Sequence, residues 1–107
     1  MQIDAANQRR IDIILSGQEA LIGAVTPNLR VVQVTWNENT IFLYFIYDGA
    51  FAKEDEEESD RTAAKMQQDF SDNLVQANCL RVDYPEDFPT HPGENCTWLY
   101  ARKEKCL

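Results

Sequence analysis

Across residues 3–25 the apolar side chains Ile3, Ile11, Ile14, Leu15, Leu21, Ile22 and Val25 recur at about 100° per residue, the period of an α-helix. Ser16-Gly17-Gln18-Glu19 interrupts the pattern with a capping-box spacing and a helix-weakening glycine, so the sequence allows a break there. Gly23 and then Thr26-Pro27-Asn28 stop the helix near Ala24, because glycine accepts the left-handed cap and proline cannot extend the hydrogen-bond ladder. From Leu29 the period changes to two. Val32, Val34 and Trp36 alternate with Gln33 and Thr35, and Asn37-Glu38-Asn39 turns the chain into Thr40, which predicts a β-hairpin over 29–36 and 40–47.

Every position from Ile41 to Tyr47 is apolar or aromatic, as in a strand covered on both faces, so this strand is expected to be central. After Asp48-Gly49, helical spacing returns over 54–75, with Ala63, Met66, Phe70 and Leu74 on one stripe. Leu80, Val82 and Tyr84 alternate with Arg81 and Asp83 to predict a strand over 79–84. A loop with three prolines follows over 85–93, and 96–103 forms the last strand. The expected fold is α+β in the order αββαββ, one domain over residues 1–107, with two helices packed on an antiparallel or mixed four-stranded sheet. If the last two strands pair through their loop, Cys79 lies opposite Ala101, too far from Cys96 for a disulfide.

With 107 residues, 44% of them apolar, the chain can close one core and has no room for a second. Its longest apolar run, over 41–47, is far short of the roughly 20 residues that span a bilayer. The first ten residues lack a basic start, an apolar core and a cleavage site, which predicts a cytoplasmic protein. Three cysteines, at 79, 96 and 106, contain no CxxC pair and suit free thiols in a reducing compartment.

Charge changes the picture more. Ten bases against eighteen acids give −8, and residues 48–94 alone hold thirteen acids against four bases, or −9. Such a field repels nucleic-acid backbones and anionic lipid and attracts basic partners, so neither nucleic acid nor membrane is an expected partner. No chemistry-bearing constellation competes with a binding role. His91 stands five residues before Cys96 in Thr90-His91-Pro92-Gly93, and a solvated loop histidine beside a half-buried strand cysteine accounts for both. Cys79, His91, Cys96 and Cys106 match no zinc spacing. A calcium loop starting at Asp48 would place Ala50 and Ala52 at ligand positions. No catalytic, metal-binding or cofactor-binding residue is therefore assigned, and the protein is expected not to be an enzyme.

The remaining feature is Glu54-Asp55-Glu56-Glu57-Glu58-Ser59-Asp60, with six carboxylates in seven positions, more than helix capping requires. A charge run of this kind is often simply a solvated helix face. Continuing the core stripe backward places Ser59 and Glu56 inward, Glu54 and Glu58 outward, and Asp55, Glu57 and Asp60 on the flanks. Further acids at Asp48, Asp83 and Glu86 and aromatics at Phe51 and Tyr84 stand near the same strand ends. The expected partner-binding residues are accordingly Asp48, Phe51, Glu54, Asp55, Glu57, Glu58, Asp60, Asp83, Tyr84 and Glu86. A second candidate is the sheet face away from the helices, with Gln33, Thr35, Phe42, Tyr44, Arg81, Asp83, Trp98, Tyr100 and Arg102.

Four stretches carry a resemblance: Ala20-Leu21-Ile22-Gly23-Ala24-Val25-Thr26-Pro27-Asn28-Leu29-Arg30, Phe45-Ile46-Tyr47-Asp48-Gly49, Leu80-Arg81-Val82-Asp83, and Trp98-Leu99-Tyr100-Ala101-Arg102-Lys103-Glu104. Together they make the chain resemble small immunity proteins of bacterial contact-dependent growth inhibition and related polymorphic-toxin systems. The resemblance implies stoichiometric binding of a cognate toxin domain by a monomer or weak dimer, and the acidity suits a basic toxin such as a nuclease. Where such proteins carry an acid in the middle of the second helix this chain has Thr62-Ala63-Ala64, so no contact transfers by position. Two other readings stay open. An acidic secretion chaperone would have similar size and class, although only two strands separate the helices here. An enzyme or metal protein would need Cys79, His91 or Cys96.

Overall fold

The computed structural model describes residues 4–88 and 95–104. Within them the elements run α1 Ala5–Ala20, β1 Leu29–Trp36, β2 Thr40–Tyr47, α2 Lys53–Asp69, β3 Leu74–Arg81 and β4 Cys96–Ala101. The order is αββαββ and the fold α+β, with the two helices on one face of a mixed four-stranded sheet.

Asp4 starts α1 by accepting the Asn7 amide at 2.8 Å, as an N-cap should. The helix then continues through Ser16-Gly17 without the break that the sequence allowed. Packing is the reason. A Cβ on Gly17 would lie 2.5 Å from Leu99 Cδ1, so the missing side chain lets α1 settle directly on β4. That close approach also decides which face turns inward: Ile13, Ser16, Gly17 and Ala20 are buried, with Leu21 just beyond. The expected inward stripe is corrected, because Ile11, Leu15, Ile22 and Val25 are exposed. Ile3 lies outside the described residues. The helix closes at Ala20, four residues before the expected end, and Gly23 turns the chain with φ +83°.

The hairpin occurs at the predicted bounds, with Val32 opposite Phe45, Val34 opposite Leu43 and Trp36 opposite Ile41. Strand order is β3-β2-β1-β4, so β2 is interior as its unbroken apolar run required, and β1 is interior too. Two expectations are corrected at β3. Its strand begins at Leu74 rather than Cys79, and it pairs parallel with β2 rather than with β4. Gln67 makes the early switch from helix to strand. Its Nε2 donates to the carbonyls of Phe70 (2.9 Å) and Asn73 (2.6 Å) while its Oε1 accepts the Val75 amide at 3.0 Å. The helical stripe through Phe70 and Leu74 is thereby cut, leaving Leu74 52% exposed.

Because α2 carries the chain from β2 to β3, β3 and β4 finish at opposite edges of the sheet. Cys79 therefore sits beside Phe45 and Cys96 beside Thr35, with both thiols free. The core lies between sheet and helices, where Val32, Val34, Trp36, Ile41, Leu43, Phe45 and Tyr47 meet Ile13, Ala20, Ala63 and Met66. On the other face Val31 and Ile46 are paired and fully buried near the end of the sheet crossed by residues 82–88. A bulge after Trp98 sets Tyr100 against Val32 and the core, which removes it from the outer face expected from the sequence. Gln33 there is buried, Thr35, Phe42 and Tyr44 are half-buried, and Trp98 is exposed with its ring edge-on to Phe88 at 5.3 Å.

Replacing Gly17 with Val should push α1 off Leu99 and cost about 1–3 kcal/mol, as overpacking does elsewhere. Gln18→Ala on the same turn is exposed and should change stability by no more than about 0.5 kcal/mol. Urea unfolding of the two variants beside the parent checks the contrast.

Candidate partner-binding surface

β2 ends at Tyr47, and Gly49, with φ +85°, turns the chain toward α2. Lys53 begins the helix, which puts Asp55 at its third position. There Asp55 Oδ2 accepts the Ala52 amide at 2.8 Å and its Oδ1 accepts the Thr26 hydroxyl at 3.0 Å. Asp55 is consequently 8% exposed and serves the fold, a correction to its expected place on the flank of the helix. The inward stripe is Asp55, Ser59, Thr62, Ala63 and Met66, so Ser59 is inside as expected while Glu56 is exposed. The misphasing has a simple cause: a carboxylate can face inward at a helix start because the free amides there receive it.

Four acids of this segment remain in solvent: Glu54, Glu56, Glu57 and Asp60. Glu58, expected to point straight outward, is half-buried and pairs with Arg61 at 2.5 Å. Phe51 is also half-buried; its ring lies 5.6 Å from that of Tyr47 and packs on the core.

Two candidate acids outside the helix, Asp48 and Asp83, are bound into the structure. Asp48 accepts Arg102 Nη2 at 2.9 Å and the Tyr84 amide at 3.1 Å, and these bonds, Arg102 first, hold its carboxyl below the ordinary range. Asp83 is lowered in the same way, first by Arg81 at 2.9 Å and then by the Gly49 amide at 2.8 Å. Asp48 and Asp83 thus fasten the end of β2 to the segment after β3. Tyr84 is half-buried with its ring 5.7 Å from the Arg30 guanidinium, and Glu86 is exposed at the side chain while its carbonyl accepts from Arg30.

Arg30 organises this end of the molecule, and the sequence reading assigned it no role. It is 2% exposed, and its Nε and Nη2 donate to both Glu104 oxygens at 2.7 and 2.9 Å. Its Nη1 donates to the carbonyls of Val82 (2.7 Å) and Glu86 (3.0 Å), and its Cζ lies 4.3 Å from the Phe88 ring centre. Arg102 Nε reaches the same Glu104 at 3.1 Å, completing a chain Arg30, Glu104, Arg102, Asp48. The Arg30 hydrogen bond is the largest cause that holds the Glu104 carboxyl below its usual value. A charged residue inside Leu29-Arg30-Val31-Val32 was the available signal, since an arginine in an apolar strand requires a partner.

The thiols offer little chemistry. Cys79 is half-buried, its Sγ lies 3.3 Å from Ser59 Oγ, and burial pushes its pKa up. Three interstrand spacings, roughly 14 Å, separate its strand from that of Cys96. Among the described residues no three His, Cys, Asp or Glu side chains are gathered to hold a metal. His91 and Cys106 lie outside the described residues. No helix among the described residues is long and apolar enough to cross a membrane.

Comparison with known families finds a match to the model of the MafI2 immunity protein over residues 10–104. No curated protein matches the chain.

Arg30→Met should leave the Val82 and Glu86 carbonyls and Glu104 without their donor, lowering stability by about 2–4 kcal/mol in urea unfolding. Arg30→Lys should recover less than half of that loss, because an ammonium cannot form the two-pronged pair. Lowered carboxyl pKa values have a definite sign: their contribution is full above the unfolded value near 4 and is lost as pH falls toward the folded value. The urea midpoint should therefore fall as pH drops below about 4.5, and Glu104→Gln should flatten that fall.

Proposed function

From the premise that the chain belongs to the MafI2 immunity protein family, and so neutralises a toxin, we propose that it does this by capping a basic toxin domain with the first turns of α2. One observation carries the reading. Asp48, Asp55, Asp83 and Glu104 are consumed by contacts inside the fold, whereas Glu54, Glu56, Glu57 and Asp60 crowd one exposed helix start. Helix capping uses Asp55 alone among the acids of this run. The surplus repels itself in the free protein, and an approaching cation relieves that repulsion.

A nuclease is the toxin class that this surface suits best, because a groove built for phosphates is lined with lysine and arginine. Carboxylates on a rigid helix can occupy such a groove in place of the phosphates and block it by simple occupancy, one immunity protein to one toxin. Complementary charge raises the association rate. The protein acts as a non-catalytic monomer or weak dimer in the cytoplasm of the producing cell. Of the original ten candidates, Glu54, Glu57 and Asp60 bear the direct contacts. Glu86 adds charge at the neighbouring end, while Asp48, Phe51, Asp55, Glu58, Asp83 and Tyr84 hold the surface in shape. Family membership favours this reading over a secretion chaperone.

Changing Glu54, Glu57 and Asp60 together to Lys leaves the Asp55 cap intact and tests the reading. Association with the toxin domain encoded by the neighbouring gene should slow at least about tenfold at low salt, and the parent's rate should fall as salt rises. Stopped-flow or surface-resonance kinetics provide the measurement. An unchanged rate together with an unchanged affinity would remove the acidic helix start from the interface.

A further inference from the structure

α1 turns an apolar edge to solvent. Leu15 is 60% exposed, with Ile11, at 38%, one turn before it, and Ile22, in the turn that follows the helix, is 74% exposed. Ordinary surface helices keep this side polar, and scattered single apolar residues need no explanation, but Ile11 and Leu15 share one edge of α1. Leu15 and Ile22 also border an open cleft between α1 and α2. One part, of about 420 Å³, is lined by Ser16, Glu19, Ile22, Lys65 and Asp69 among others. The adjoining part, of about 320 Å³, continues past Asp12 and Leu15 to Phe70.

The cleft is also negative. Asp12, Glu19 and Asp69 line it against Lys65. Glu19 lies in the last turn of α1 and Asp69 closes α2, and neither last turn contains a base. Both carboxylates therefore sit at the negative end of a helix dipole, where a cation is favoured. Asp69 accepts the Ser16 hydroxyl at 2.6 Å, which fixes its position in the cleft lining.

A route connects this place to the acidic helix start. Glu57, Asp60, Ala64 and Gln68 follow one exposed stripe down α2 to the cleft, which Gln68 also lines. Seventeen residues make α2 about 25 Å long, a span that one interface of about 800 Å² per partner covers.

We propose that the α1–α2 cleft is a second toxin-contact face, which takes a lysine or arginine set among apolar residues of the toxin. The aliphatic stem lies on Leu15 and Ile22, and the charged head reaches Glu19 and Asp69. This inference rests on the reading of a basic toxin partner and adds to it the anchor that slows dissociation. A second copy of the chain is a poor occupant, since it would bring the same carboxylates and a net charge of −8.

Leu15→Ser with Ile22→Ser, and separately Glu19→Lys, test the cleft in the full-length protein. Both sets are exposed, so the circular dichroism spectrum and melting temperature should match the parent. Titration of an inactivated toxin domain from the neighbouring gene, by calorimetry or surface resonance, is the readout. The double variant should weaken binding at least about 30-fold through faster dissociation, with little dependence on salt, and Glu19→Lys should weaken it by a similar factor. Affinity within twofold of the parent for both, while the α2 charge reversals still slow association, would overturn the cleft and leave the proposed function standing. A change in light-scattering mass without a change in toxin affinity would make the face a self-association surface and also overturn it. If the parent itself does not bind the toxin domain, both the cleft and the reading beneath it fail.

Discussion

Arg30 lies one residue into β1 with its guanidinium out of water, and its donors reach groups in the chain's second half. Glu104 after β4, the carbonyls of Val82 and Glu86 after β3, and the Phe88 ring all close on it. A buried guanidinium without such partners would be prohibitively unstable, so residues 82–88 are held where Arg30 requires them. Arg102 then links Glu104 to Asp48, and Asp48 to the Tyr84 amide, so the same network fixes the end of β2 from which α2 departs. The position of the acidic helix start is set by this chain of charges.

Two groups of acids in this strongly negative protein contrast sharply. One is internal: Asp48, Asp83 and Glu104 are matched to arginines, and Asp55 to helix amides and Thr26. The other faces solvent along α2 and has no such structural task. A sequence that spends carboxylates so unevenly keeps a surface charged beyond what stability asks for, and stability alone would favour removing part of it. Under the proposed function, the toxin supplies the missing cations.

Much of the fold was legible because two local signals were strong. Alternation of Val32, Val34 and Trp36 and the unbroken run from Ile41 gave the hairpin at its observed bounds, and the period near 3.6 gave two helices. The failures were tertiary. Gly17 reads as a weak point in a helix until Leu99 is known to lie against it, and the inward face of α1 follows from that contact rather than from the apolar residues. β3 was displaced because Gln67, an ordinary helix former, turns the chain by bonding three backbone groups at once. At the candidate surface the run of acids was plain in the sequence, but the one-residue phase of α2 decided that Asp55 and not Glu56 is inside. The pairings of Asp48 with Arg102 and of Arg30 with Glu104 depend on strand order, which no local pattern encodes.

Hydrogen exchange of the protein alone and in complex with its toxin domain tests the central claim most directly, because it maps the contact without altering the charges. Added protection should fall on the first turns of α2, on its outward stripe, and on the last two turns of α1, with the outer sheet face around Phe42 and Tyr44 unchanged. Protection confined to that sheet face, with α2 exchanging as in the free protein, would contradict the account.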